Sequence, residues 1–168
     1  MDREAPTPPS LLKDPLLMNS APTALLRDHA RAVEPHLSKA VELFYARLFE
    51  RYPSVRAMFP DDMARQRGHL MATIALVAKN ADRLDTLEEP LMQLGAHHAS
   101  FGTKPEHYPL VRDGVIEALR DAAPQTWSAE IEAAWLLALN RVAELMLQGA
   151  ARAATDAASR LSARRRPA

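Results

Sequence analysis

Apolar residues recur at steps of three and four along nearly the whole chain from Thr23 to Leu147. That period fits helices and not strands. Leu26, Ala30, Val33 and Leu37 form the first stripe, with Pro35 breaking it into two helices. The second continues through Val41, Phe44 and Leu48. Pro53 opens a short turn that ends at Phe59-Pro60, and Asp61 and Asp62 supply a cap for a stripe of Met63, Leu70, Ile74 and Val77. Leu84, Leu87, Leu91, Leu94 and His98 follow, divided by Pro90 into two short pieces. Gly102 ends that segment, and Pro105 opens the next at its first helical position, ahead of Tyr108, Val111, Val115 and Leu119. Pro124 stops it, and Ser128 caps a last helix along Ile131, Trp135, Ala138, Val142 and Leu145. No stretch alternates with period two between turn residues. The sequence predicts an all-α domain of about six to eight packed helices.

The chain divides into three parts. Residues 1–20, with Pro6, Pro8, Pro9 and Pro15, read as a flexible extended arm. Residues 21–150 form the domain. Residues 151–168 form a basic helical extension or tail; from Gln148 to Ala168 there are five arginines against Asp156. A solvated helix end is the plain reading of that tail, and a docking site for an acidic partner is the other. Lysine plus arginine number 21 and aspartate plus glutamate 21, so no net field draws the chain to nucleic acid or membrane. There is no cysteine, which excludes disulfides, iron–sulfur clusters and zinc-thiolate sites. Met1-Asp2-Arg3-Glu4 runs into prolines rather than an apolar segment, so a cytoplasmic location is expected. The most apolar stretch, Ala133 to Leu147, is interrupted by Asn140, Arg141 and Glu144 and is no membrane span.

Two stripes hold a residue that a plain core does not choose. Gln66 falls three after Met63 and four before Leu70, and His98 falls four after Leu94. Burying an amide or an imidazole costs a few kcal/mol unless a partner is supplied. Tyr45, four after Val41, sits at the edge of another apolar face with a hydroxyl to satisfy. Phe59 stands at a proline-bounded corner. Taken singly, each has an ordinary explanation as a satisfied core residue. Taken together and in order, they outline a cavity for a flat apolar cofactor with one metal.

These residues resemble the haem domain of bacterial flavohaemoglobins and their single-domain relatives, within the globin superfamily. The most specific piece is His98-Ala99-Ser100-Phe101-Gly102-Thr103-Lys104-Pro105-Glu106-His107-Tyr108, where the family places its proximal histidine, then Ser-Phe, then Lys-Pro-Glu-x-Tyr. Phe44-Tyr45 with Phe59 matches the distal tyrosine and haem-stacking phenylalanine, and Gln66 and Leu70 match the distal glutamine and leucine. Trp135 matches an aromatic of the last helix. The resemblance implies a globin fold, haem b (iron protoporphyrin IX) and His98 as the iron ligand, with its second nitrogen bonded to the Leu94 carbonyl. It makes Tyr45 and Gln66 the donors to bound O2 and gives Leu70 the space above the iron. Ile74 either lines the haem or packs. His69 lies at the haem edge or in solvent, and Tyr108 belongs to the proximal network. His97 points to the side, and His29, His36 and His107 read as surface residues.

The sequence departs from that family in three places. No flavin or nicotinamide domain follows within the chain, the corner between Phe59 and Gln66 is a few residues short, and the glutamate that approaches the proximal histidine is replaced by Ala150. Glu144, six residues earlier, is a poor substitute. The expected function is reversible binding of O2, NO and CO at a pentacoordinate iron, by a monomer or homodimer. NO dioxygenase activity with a separate flavin reductase is an enzymatic extension. An O2 or redox sensor, or a haem-free helical interaction domain, is the alternative.

Overall fold

The computed structural model describes residues 15–164 and places six α-helices and no strand among them. Helix α1 spans Pro15–Val33, α2 Leu37–Arg51, α3 Ala64–Lys79, α4 Glu88–Ser100, α5 His107–Ala122 and α6 Ala129–Arg164. Short 3₁₀ turns at Glu34–His36, Pro53–Met58, Leu84–Leu87 and Pro124–Thr126 make four of the connections. No helix among these residues is long and apolar enough to cross a membrane.

Prolines punctuate this architecture, though not always where the sequence reading put them. Pro35 and Pro124 sit inside the 3₁₀ turns that end α1 and α5, as expected. Helix α1 begins at Pro15, inside the stretch read as an extended arm, and carries Pro22 in its interior. A proline costs nothing at the start of a helix, because the missing N–H has no intrahelical acceptor there. The rest of the arm, residues 1–14, lies outside the described residues. Pro90 divides nothing: it occupies the first turn of α4, and the break falls before Glu88. Pro105 stands in the turn ahead of α5, where its carbonyl accepts the N–H of Tyr108 at 3.2 Å. The cap expected at Asp61-Asp62 is made by Asp62, whose carboxylate accepts the Ala64 N–H at 2.9 Å. Ser128 Oγ accepts the Ile131 N–H at 3.3 Å and starts α6.

The core gathers where α1, α3 and α5 meet α6 and where α2 packs on α5 and α3. Trp135, Leu26, Leu119, Leu145, Val41 and Val77 are all buried there, each aliphatic side chain contributing about 1.5–3 kcal/mol relative to exposure. Helix α4 stands apart from that arrangement and leans on α6. The approach is close because Gly95 of α4 faces the Met146 backbone and Gly149 of α6 faces the Met92 backbone, where a Cβ on either has no room. Beyond that contact α6 runs on to Arg164 as a continuous helix of 36 residues with its last turns exposed. Helix α3 packs mainly on α2, α1 and α6, and α4 mainly on α6.

Candidate functional site

Helix α2 turns Phe44 and Tyr45 inward, and the following turn brings Phe59 back to them. Tyr45 is only 4% exposed, its ring 5.7 Å from Phe59 and 5.8 Å from Phe49. The corner is held by Arg56, which donates to the carbonyls of Phe59 and Pro60 at 3.0 Å each and lies over the Phe49 ring at 5.1 Å. Gln66, in the first turn of α3, donates its Nε2–H to the Tyr45 hydroxyl at 3.1 Å. That bond fills an acceptor position of the phenol and leaves the phenol's own proton without an acceptor among the described residues. Burial pushes the Tyr45 hydroxyl above its ordinary range, with the Gln66 bond and the Arg67 charge working against it. The side chain is therefore a neutral hydrogen-bond donor across the physiological range.

On α4 the proximal candidate takes shape in the same way. His98 Nδ1 lies 2.8 Å from the Leu94 carbonyl. A carbonyl can only accept, so Nδ1 carries a proton; in the neutral ring Nε2 then holds the lone pair, and it has no hydrogen-bond partner among the described residues. A neutral imidazole with a free Nε2, oriented from behind, is the donor set an iron or zinc ion takes. Its neighbour His97 is exposed and packs edge-on against Phe101 at 4.8 Å. Leu70, Leu94 and Phe59 are apolar yet only half-buried.

The remaining candidates scatter. Ile74 and Val77 are buried core residues, and Ile74 also lines a separate hollow beside α1. His69 is exposed. Tyr108 is half-buried, its hydroxyl pushed up by burial and without a hydrogen bond among the described residues. Glu144 is exposed and paired with Arg141 at 3.4 Å, while Ala150 is half-buried beside Gly149. No hydrogen bond or ring contact joins His98 to Tyr45, Gln66 or Phe59 among the described residues. The two halves of the site stand on different helices, for α4 packs chiefly on α6 rather than on α2 or α3.

One histidine is not where the sequence reading placed it. His29 is 4% exposed, bonded to both Trp135 and Thr126, and so is a core residue rather than a surface one. The signal was present: three after Leu26 and four before Val33, it lies on the inward stripe of α1. His36 and His107 are half-buried, and His107 Nδ1 accepts the Lys104 N–H at 3.2 Å ahead of α5.

The globin family profile matches residues 42–146, from α2 into α6. The chain belongs to the globin family. It is similar to a flavohemoprotein of Vibrio cholerae, 32% identical over 107 residues that make up 62% of this chain and 27% of that protein. A Bacillus subtilis flavohemoprotein is 25% identical over 78% of this chain and 34% of its own length. This globin thus spans about a quarter to a third of the flavohemoproteins it matches. Among solved structures, an engineered carbene transferase made from a candidate nitric oxide dioxygenase of Rhodothermus marinus superposes with a TM-score of 0.72 at 26% identity, covering 83% of this chain and 98% of the other. A globin of Campylobacter jejuni gives 0.70 at 22% identity over 78% and 95%, a likeness of fold. The family is one of haem proteins, and the residues here fit the group: a free, oriented imidazole nitrogen on α4 and half-buried apolar side chains on α3 and α4.

Proposed function

We propose that this globin holds haem b through His98 Nε2 and binds O2, with NO and CO as further ligands, on the side bordered by Tyr45, Gln66 and Leu70. The chain has no cysteine to anchor a porphyrin covalently, so the haem is held by ligation and packing. When bound, the haem supplies an iron at which a diatomic gas is held and polarised. The observation that carries the reading is the Gln66–Tyr45 hydrogen bond at 3.1 Å. By donating to the phenol oxygen, Gln66 orients the phenol proton away from itself and strengthens it as a donor. A donor fixed in a dry pocket stabilises developing negative charge without reorganising. Leu70 and Phe59 keep water from that space.

With electrons from a separate flavin reductase, the same pocket supports oxidation of NO by O2 to nitrate. The test is NO consumption in air by the haem-loaded protein with a flavin reductase added. Nitrate formation well above that of free haem is expected, and a rate equal to free haem ends the enzymatic reading.

A second reading, storage or sensing of O2, is favoured by the proximal side. His98 Nδ1 meets the neutral carbonyl of Leu94 rather than a carboxylate, and Glu144 is taken up by Arg141. A neutral acceptor leaves the imidazole a weaker donor than a carboxylate does, which suits holding a ligand more than turning it over. Slow O2 release together with no NO turnover distinguishes this reading from the first.

A further inference from the structure

We propose that Arg56 is a positioning residue for the distal side: its planar fork spans the corner between the Pro53–Met58 turn and α3, and so holds the Tyr45 hydroxyl and the Gln66 amide in register. The inference rests on the reading above, in which Tyr45 donates to bound O2. Arg56 Nη1 donates to the Phe59 and Pro60 carbonyls at 3.0 Å each, and Nη2 to the Asp61 carbonyl at a longer 3.5 Å. Three successive carbonyls thus turn toward one cation. The Asp61 carboxylate, fully exposed and 3.8 Å away, is a weak partner beside them.

An arginine that bonds the last carbonyls of its own turn is ordinary. Here the turn closes at Met58, and all three acceptors lie past it. They belong to residues 59–63, a stretch in neither helix nor strand, where Pro60 has no N–H to give. The other face of the guanidinium lies over the Phe49 ring at 5.1 Å. Phe49 in turn stands 5.3 Å from Phe59 and 5.8 Å from Tyr45. One half-buried side chain therefore meets both the ring that packs on Tyr45 and the backbone that leads to Gln66. Tyr45 arrives on α2 and Gln66 on α3, and their bond at 3.1 Å forms only with both in place, since a hydrogen bond weakens steeply once misaligned. A lysine does not reproduce this strut: a point charge neither bridges several acceptors in one plane nor lies flat on a ring.

Two measurements on the haem-loaded protein test this: the rate of O2 release, and the infrared C–O stretch of the CO form, which reports the hydrogen bond offered to the ligand. They are made on the wild type, Arg56→Met, Arg56→Lys, Tyr45→Phe and the Arg56→Met, Tyr45→Phe double variant. Arg56→Met should release O2 about three- to tenfold faster, and its C–O band should move toward that of Tyr45→Phe. Arg56→Lys keeps the charge and should still lie close to Arg56→Met in both; it decides the matter should Arg56→Met fail to hold haem. In the Tyr45→Phe background, Arg56→Met should change release by less than about twofold. An unaltered rate and band in Arg56→Met overturn the proposal. So does wild-type behaviour in Arg56→Lys, which assigns the role to charge alone, or an equal acceleration with and without the Tyr45 hydroxyl. If Tyr45→Phe itself keeps the wild-type rate and band, the distal reading falls and this proposal with it. An effect of Tyr45→Phe with none of Arg56→Met sinks this proposal alone.

Discussion

Trp135 donates its indole N–H to His29 Nδ1 at 3.0 Å, and that contact fixes the tautomer of a buried imidazole. Nδ1 must be unprotonated to accept. The Thr126 hydroxyl gives its own proton to the Ala123 carbonyl at 2.8 Å, so its oxygen accepts from His29 Nε2–H at 3.0 Å. Both ring nitrogens are thus satisfied in the neutral form. The imidazole lies edge-on to Trp127 at 5.2 Å and Trp135 at 6.2 Å, so one side chain ties α1 to α6 and to the turn after α5.

Acid should therefore loosen this fold through His29. Protonation places an N–H at Nδ1 against the N–H of Trp135, and burial already holds the His29 pKa below the ordinary histidine value of 6.5. The unfolded chain takes up the proton near pH 6.5 while the folded chain resists. Stability is therefore complete above that pH, falls as pH drops through it towards the lowered folded value, and is flat below. Each tenfold difference in proton affinity is about 1.4 kcal/mol. Thermal unfolding at about pH 7.5 and about pH 5 should show a larger loss for the wild type than for His29→Gln, which keeps an acceptor for Trp135 but does not titrate. Parallel losses in the two proteins would place the acid sensitivity elsewhere.

What the sequence revealed followed from one rule, that a polar residue on an apolar helical stripe needs a reason. It located Gln66, His98 and Tyr45, and the structure pairs the first and last and gives His98 its Leu94 acceptor. The same rule applied to His29, but no familiar motif surrounds that residue and its partners lie far along the chain at Thr126 and Trp135. Long-range pairing of that sort is invisible to local periodicity. Prolines failed for a different reason. Pro15, Pro90 and Pro105 mean little until the helix start is known, because the same residue is harmless in a first turn and costs about 3 kcal/mol later.

Removal of the Tyr45 hydroxyl should speed O2 release. A charge-assisted hydrogen bond contributes about 1.5–3 kcal/mol, so Tyr45→Phe is expected to raise the dissociation rate roughly 10–100-fold. Gln66→Leu should have a smaller effect, because Gln66 acts through the phenol it bonds at 3.1 Å. The double variant should then release O2 about as fast as Tyr45→Phe alone. Stopped-flow displacement of O2 by CO measures all four proteins, and fully additive effects would show that Gln66 acts independently of Tyr45. Because burial raises the phenol pKa, the wild-type rate should stay level from neutral pH to about pH 10.

His98→Gly tests the proximal assignment with a built-in control. Deleting the ring removes the free Nε2 while sparing the Leu94 carbonyl and the α4 backbone. Haem should be lost or bound with an altered Soret band, and added imidazole should restore the wild-type spectrum by filling the vacated space. An unaltered spectrum in the variant, without imidazole, would mean that another residue holds the iron.

The grip of α4 on α6 sets where His98 stands, and two glycines allow it. A Cβ at Gly95 overlaps the Met146 carbonyl, and one at Gly149 overlaps that of Met92; both neighbours are backbone and cannot swing aside. Gly95→Ala and Gly149→Ala should each push the helices apart and cost about 1–3 kcal/mol, in the manner of an overpacked core. Since α4 carries His98, the proposed iron ligand, haem transfer to an apoglobin acceptor should quicken in both variants. Gly68, inside α3 and exposed, offers the opposite case, for a Cβ there meets nothing within 4 Å. Gly68→Ala should stabilise the protein by about 0.5–1 kcal/mol through helix propensity alone, without altering haem transfer. If the α4 and α6 variants lose no more stability than Gly68→Ala gains and keep their haem equally well, the close crossing is not what positions His98.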